Sequence, residues 1–289
     1  MPARTDKKTE AIGAVNGTRP PLKWAGSKYR LVPHIRRLLP EGKRLVEPFV
    51  GSGAVFLNTD YERYRISDAN TDLILFYKTL KRGQKSFIEH ARKYFTPKNN
   101  VAKRYYALRD EFNELEKDDP NRAALFLYLN KHGYNGLCRY NASGELNVPF
   151  GRYYAPYFPE REMNAFLARA HRATITILNR DFEDILKKCN PGDVVYCDPP
   201  YVPLSTTSNF TAYSSGGFGP EDQKRLAKLA LVTAQRGIPV LISNHDTPAT
   251  RELYAAASKM EFLDVRRLIS CNSAKRENAA ELLALFLPD

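Results

Sequence analysis

Five short strand-like runs constrain this chain more than any other feature. Arg44–Glu47, Tyr64–Ser67, Ile175–Leu178, Val194–Cys197 and Val240–Ser243 each lead into a turn signal or a carboxylate. Short runs that are sharply stopped suit strands buried on both faces of a parallel sheet. Parallel neighbours need a crossover of a dozen or more residues, and helix-like stretches supply some of these. Pro220–Gln235 carries Leu226, Ala227, Leu229, Ala230 and Val232 with Gly237 as a stop, and Thr247–Ala257 is a second stretch. The expected fold class is therefore α/β, with ligands at the carboxyl ends of the strands. The runs Leu263–Ile269 and Glu281–Leu287 leave no room for an ordinary helix between them and predict an antiparallel pair on one edge.

Residues 72 to 160 read differently. Helical patterns follow one another at Asp72–Leu80, Ser86–Tyr94, Lys103–Leu115 and Arg122–Asn130, with no strand-like run before about Val148. This block holds ten of the seventeen tyrosines and a net charge of +5, which sets it apart from the sheet. It reads as a helical domain, 72–160, inserted between the second and third strands of a domain built from 21–71 and 161–289. Residues 1–20, small, polar and basic, read as a flexible arm.

The whole chain has 44 Lys and Arg against 32 Asp and Glu, a net charge of +12, which favours a polyanionic partner. Its longest strictly apolar run, Ala123 to Leu129, is far short of the ~18 residues a membrane span needs. The first twenty residues hold no apolar stretch of a secretory signal. Cys138, Cys189, Cys197 and Cys271 form no C-x-x-C pair and the histidines no H-x-x-x-H, so neither a zinc cage nor a disulfide framework is expected. The expectation is a cytoplasmic, reduced protein, free of membrane, whose chemistry needs no metal.

The sharpest signal is Val194-Val-Tyr-Cys-Asp-Pro-Pro-Tyr201. A buried strand ends in a carboxylate, two prolines and an aromatic ring. Neither proline has an N–H, and their fixed φ holds Asp198 and the nearby carbonyls in one orientation. An exocyclic amine on an aromatic base needs such a place: two acceptors for its N–H groups and a ring to stack on. Taken alone, a strand ending in a plain proline turn reads the same way.

Glu47-Pro-Phe-Val-Gly-Ser-Gly-Ala54 follows the first strand, and Gly51 and Gly53 permit a tight turn with a ligand close to the backbone. Taken alone, a packed strand-to-helix turn explains G-x-G better. Asp68 ends the next strand, where a carboxylate can bind ribose hydroxyls. Phe56 replaces the third glycine of G-x-G-x-x-G, so a nucleoside without a pyrophosphate is expected. Lys23-Trp-Ala-Gly-Ser-Lys28 contains the only tryptophan. Trp24 either caps the core or forms a lid on the nucleoside, with a lysine for a ligand carboxylate. Asn130-Lys-His-Gly-Tyr-Asn-Gly-Leu-Cys-Arg-Tyr-Asn141 suits contact with a nucleic-acid groove, or a polar loop capped at Gly133. Asn209–Tyr213 with Ser214–Gly217 reads as a strand and turn.

Together these segments resemble the Dam-type DNA adenine-N6 methyltransferases of the D12 class, alpha group, from about Leu22 to the C-terminus. K-W-A-G-S-K at 23–28 is similar to the family's N-terminal cofactor motif, E-P-F-V-G-S-G at 47–53 to its glycine motif, and D-P-P-Y at 198–201 to its catalytic motif. L-N-K-H-G-Y-N-G-L-C-R-Y-N, F-G-R-Y, N-F-T-A-Y and I-S-N-H-D match too, while Ser27 stands where glycine is common. The resemblance implies a Rossmann-like methyltransferase sheet with an inserted helical DNA-recognition domain. It implies S-adenosyl-L-methionine as cofactor, double-stranded DNA as partner, no metal, a monomeric state, and adenine within GATC as target. Trp24, Lys28, Asp68 and Asp198 would contact the cofactor, with Phe49, Gly51, Gly53 and Phe182 lining its pocket. Asp198, Pro199 and Tyr201 would hold the flipped adenine. Lys23, Tyr134, Asn135, Leu137, Arg139, Pro149 and Arg152 would contact DNA.

On that reading Asp198 and a D-P-P carbonyl accept both N–H groups of adenine N6, whose lone pair is otherwise delocalised into the ring. That favours a tetrahedral, more nucleophilic nitrogen. An N6 methyltransferase with another DNA or RNA target would share this site and differ in the helical domain. A non-catalytic DNA-binding module on the same fold is the rival of another class, and an intact D-P-P-Y and K-W-A-G argue against it. The missing third glycine disfavours a nicotinamide enzyme.

Overall fold

The computed structural model describes residues 17–201, 217–266 and 278–288. The Asn209–Tyr213 strand, nearly all of the turn after it, most of the arm and the end of the Leu263–Ile269 run lie outside the described residues. In chain order the elements are α1 (Val32–Leu38), β1 (Arg44–Glu47), α2 (Ala54–Leu57), β2 (Arg63–Ser67), α3 (Thr71–Arg92), α4 (Ala102–Glu114), α5 (Pro120–His132), α6 (Glu160–Arg172), β3 (Thr174–Leu178), α7 (Phe182–Lys187), β4 (Asp193–Cys197), α8 (Pro220–Gln235), β5 (Val240–His245), α9 (Pro248–Leu253), β6 (Lys259–Arg266) and β7 (Asn278–Phe286).

Seven strands make one sheet in the order β3-β2-β1-β4-β5-β7-β6. The first five are parallel, and β7 runs antiparallel between β5 and β6. All five expected parallel strands form, and so does the antiparallel pair. β6 begins at Lys259 rather than Leu263, because a strand paired on one side accommodates the polar Lys259 and Glu261.

Alternate residues feed two cores. Leu45, Val194, Tyr196 and Leu241 face one; Val46, Val195, Cys197 and Ile242 face the other. The first core continues into the helical block, through Tyr77, Phe112 and Leu127. The insertion thus rests on one face of the sheet and shares its apolar interior. At its centre, α5 is buried all round from Arg122 to His132, which explains an apolar run where a half-buried helix would show a stripe. Arg122 is tolerated there because Asp72 binds it at 2.6 and 3.3 Å and the Phe112 and Leu115 carbonyls accept its other N–H groups.

Some local expectations shift. α3 runs through both expected helices, and the break between them falls at Gln84, with φ 48°. The second C-terminal helix is shorter than Thr247–Ala257, because Tyr254 leaves the helix to bury its ring in the second core. No strand forms near Val148. Two isolated bridges, Gly133 with Phe150 and Tyr140 with Leu146, instead close a long irregular loop. Residues 17–20, expected to belong to the arm, are tied down: Thr18 N–H and C=O both bond the Asn58 amide, at 2.7 and 2.8 Å.

Candidate active site

β2, β1 and β4 are neighbours in the sheet, so the turns leaving their carboxyl ends meet. The β1 turn bends through Gly51 (φ +47°) and Gly53 (φ +77°), a left-handed path open to glycine. Gly51 N–H donates to Asp68 Oδ2 at 3.0 Å, and the Tyr77 hydroxyl donates to the Gly51 carbonyl at 3.0 Å. A Cβ on Gly51 would come within 2.9 Å of the Trp24 indole nitrogen. Trp24 therefore lies on the glycine turn and also packs, partly buried, against the first core. Burial pushes the Asp68 carboxyl up to about 6, against the opposing pull of the Asn70 and Gly51 N–H groups.

Asp198 stands one residue past β4. Its Oδ1 receives the Lys28 ammonium at 2.9 Å and the Ser243 hydroxyl at 2.9 Å. Burial raises its carboxyl above the usual range, while Lys28 pulls it down. Lys28 is itself buried, donates to the Gly26 carbonyl at 2.6 Å, and lies 4.3 Å from the centroid of the Tyr201 ring. The Tyr201 hydroxyl donates to Glu281 Oε2 at 2.5 Å, from the antiparallel strand β7. Gln223 Nε2 binds the Pro200 carbonyl at 2.7 Å and is held in turn by Asn244. Of the two proline carbonyls, Pro200 is thus already engaged; Pro199 is buried between Asp198 and Pro200.

Trp24, Lys28, Glu47, Phe49, Gly51 and Asp198 line one cavity. Phe182 stacks on Phe49 at 5.3 Å, and Phe218 closes the cluster edge-on at 5.6 Å. Glu47 is almost wholly buried, and its Oε1 has no hydrogen-bond partner among the described residues. Burial and the nearby Asp198 push its carboxyl well above the usual range. The cavity thus joins an aromatic wall, a glycine turn and the carboxylates of Glu47 and Asp198, with Asp68 on the Gly51 N–H beside it; these are groups that a nucleoside carrying positive charge can use. Among the described residues no cluster of His, Cys, Asp or Glu that could hold a metal occurs.

The expected DNA contacts gather on the loop closed by the two bridges. Tyr134 N–H bonds the Pro149 carbonyl at 2.8 Å, and Asn147 N–H the Arg139 carbonyl at 2.8 Å. Tyr134, Arg139, Pro149 and Arg152 are exposed, and Asn135 and Leu137 half-buried. Arg139 folds back onto the Asn147 carbonyl with two N–H groups, at 3.0 and 2.7 Å. Lys23 enters this loop from the N-terminal segment, its ammonium 3.9 Å from the Tyr153 ring centroid.

Sequence reasoning missed Glu47, Tyr153, Phe218, Gln223, Ser243 and Glu281 as parts of this neighbourhood. Glu47 and Ser243 fall inside matched motifs without an assigned role. Glu281 had no signal, since its partner Tyr201 lies far away along the chain.

The chain matches the model of the D12 class N6 adenine-specific DNA methyltransferases over residues 24–268. It is 52% identical over 267 residues to the DNA adenine methylase of Escherichia coli (strain K12), covering 92% of this chain and 95% of that protein. It is 51% identical over 268 residues to the DNA adenine methylase of Vibrio cholerae, with 92% and 95% covered. The Serratia marcescens DNA adenine methylase is 50% identical over 266 residues, with 92% and 97% covered.

Proposed function

The chain belongs to the D12 class N6 adenine-specific DNA methyltransferases, and from that premise we propose that its target is the adenine of GATC in double-stranded DNA, modified by a monomer on the nucleoid in the cytoplasm. Methyl transfer from S-adenosyl-L-methionine to adenine N6 is the reaction. The observation that carries the site assignment is the position of Lys28. An N–H-bearing group already sits on Asp198 and over the Tyr201 ring, the posture that an extruded adenine amine needs.

When bound, the cofactor supplies an electrophilic methyl group on a sulfonium. Trp24, Phe49, Gly51, Gly53 and Phe182 would hold it, with Asp68 on its ribose, Glu47 toward its ammonium and Lys28 toward its carboxylate. Asp198 and the Pro199 carbonyl accept the two N–H groups of adenine N6, with Ser243 holding the carboxylate and Gln223 holding the next carbonyl, that of Pro200. These acceptors stabilise the positive charge that grows on N6. Extruding the base costs a few kcal/mol, and stacking on Tyr201 returns ~1–3 kcal/mol.

The 72–160 block is the recognition domain in this proposal, and 21–71 with 161–289 the catalytic one. Arg139 reads a guanine edge, because a guanidinium gives two parallel hydrogen bonds to O6 and N7. Lys23, Tyr134, Asn135, Leu137, Pro149 and Arg152 complete the contact. Transfer of labelled methyl to unmethylated GATC duplexes and to their single-base variants, with the modified base mapped, tests the reading. A strong preference for GATC with label on N6 is expected; equal rates on all duplexes would overturn the sequence assignment.

A further inference from the structure

Lys23 stands between two sites. On one side its neighbour Trp24 forms a wall of the cofactor pocket and lies on the Gly51 turn. On the other side its peptide groups are held by α5. Asn130 Oδ1 accepts from Lys23 N–H at 2.9 Å, and Asn130 Nδ2 donates to the Lys23 carbonyl at 2.8 Å. Asn130 Nδ2 also reaches the Gly136 carbonyl of the recognition loop at 3.4 Å. The side chain thus imitates a step of strand pairing. It is 4% exposed, so moving residue 23 away would strand buried polar groups.

The loop presses on the same residue. A Cβ on Gly136 would fall 2.3 Å from Lys23 Cβ. Lys23 Nζ donates to the Lys131 carbonyl at 3.2 Å. The Tyr153 ring beneath that ammonium accepts, through its hydroxyl, the Asn135 N–H at 2.9 Å. One residue is therefore fastened to the loop while the next one walls the cofactor site.

We infer that Asn130 is a positioning residue that couples the two sites: it ties the placement of Trp24 to the seating of the 134–139 loop on DNA, so that cofactor binding and sequence recognition favour each other. The inference rests on the reading that this loop contacts DNA. Coupling of this kind is reciprocal, so a cofactor held tighter on the right sequence also tightens the grip on that sequence.

Calorimetry with S-adenosylhomocysteine avoids turnover. Its affinity is measured for the full-length protein alone, with saturating GATC duplex, and with a duplex altered at one base pair. The wild-type affinity on GATC should exceed that on the altered duplex by at least about fivefold. Asn130→Ala should bring this ratio close to one while affinity without DNA changes by less than about twofold. Gly136→Ala disturbs the same junction from the loop side and should act alike, which keeps the test open if the first variant does not fold. Arg139→Ala separates the inference from the reading beneath it. If Arg139→Ala leaves the preference for GATC intact, the loop reading falls. If Arg139→Ala removes the preference but Asn130→Ala and Gly136→Ala keep the full ratio, the loop reads DNA and Asn130 is packing alone. A wild-type ratio of one overturns the coupling outright.

Discussion

At the carboxyl edge of the sheet, Asp68 and Asp198 follow directly on strands β2 and β4, and parallel pairing fixes where they stand. In the 133–152 loop, Tyr134 and Arg139 hang from a backbone held by two isolated bridges and by side-chain clasps. The first region is fixed by strand pairing, and its acceptors carry partners: Lys28 and Ser243 on Asp198, Gly51 on Asp68. The second keeps the groups proposed to read sequence exposed, with Arg139 turned onto a nearby carbonyl. Chemistry needs fixed charge, since preorganised acceptors stabilise a transition state without reorganising. Reading a sequence needs side chains able to leave one partner for another.

This contrast predicts that changes at the sheet edge act on every substrate and changes in the loop act on discrimination. The largest effect falls on Asp198→Ala, which should lower turnover on all duplexes at least a hundredfold, ~3 kcal/mol, in a protein that still folds. Near-normal turnover would end the assignment of Asp198 as the acceptor of the amine.

Asp68 comes next. Asp68→Ala should weaken S-adenosylhomocysteine by about 1.5–3 kcal/mol, the range for hydrogen bonds to a charged group. Its carboxyl, raised to about 6, should also make wild-type affinity decline as the pH falls through that value, and Asp68→Asn should flatten the profile. Stability moves in the opposite sense. The folded pKa stands above the unfolded value of about 4, so the contribution is complete below about pH 4 and lost as pH rises through the folded value. Melting curves of wild type and Asp68→Asn should therefore diverge across that interval. Parallel curves would contradict the raised pKa.

In the loop, Arg139→Ala should cost about 1–3 kcal/mol on GATC and little on duplexes already altered at the base pair it reads. Arg152→Ala should weaken all sequences alike and lower the salt slope of binding by roughly one. Rates and salt titrations on matched and altered duplexes decide between the two patterns. An equal loss for Arg139→Ala on every duplex would place it on phosphate and blur the contrast.

The smallest effect is expected at the link between β4 and β7. Tyr201→Phe keeps the ring and loses the bond to Glu281, and should cost ~1 kcal/mol in turnover on all duplexes. Glu281→Ala should match it, and the double variant should be no worse than either. Additive losses would mean that Glu281 acts other than through Tyr201.

Much of this was legible along the chain because the signals are local. A strand ending in D-P-P-Y, a glycine turn after β1 and a carboxylate after β2 each show in a few consecutive residues, and parallel strand order brings them together. The helical block was legible by its change of period. Arg122 showed nothing of its burial, since a charge enters a core only with its partner, and Asp72 lies on another helix. The Glu281–Tyr201 bond, the Ser243 support of Asp198 and the Asn130 clasp on Lys23 all join segments far apart in sequence.

The sequence by itself determined the fold class, the two kinds of region and the residues proposed to carry the chemistry, because hydrophobic period, turn residues and motif spacing act within a few residues of one another. Only the tertiary structure decided that Lys28 rests on Asp198, that Glu47 is a buried carboxylate without a hydrogen-bond partner for its Oε1 among the described residues, and that Lys23 links the loop to the cavity that Trp24 lines. These depend on which distant groups share a desolvated space. Burial and pairing are properties of the packed whole, and no window of sequence contains them.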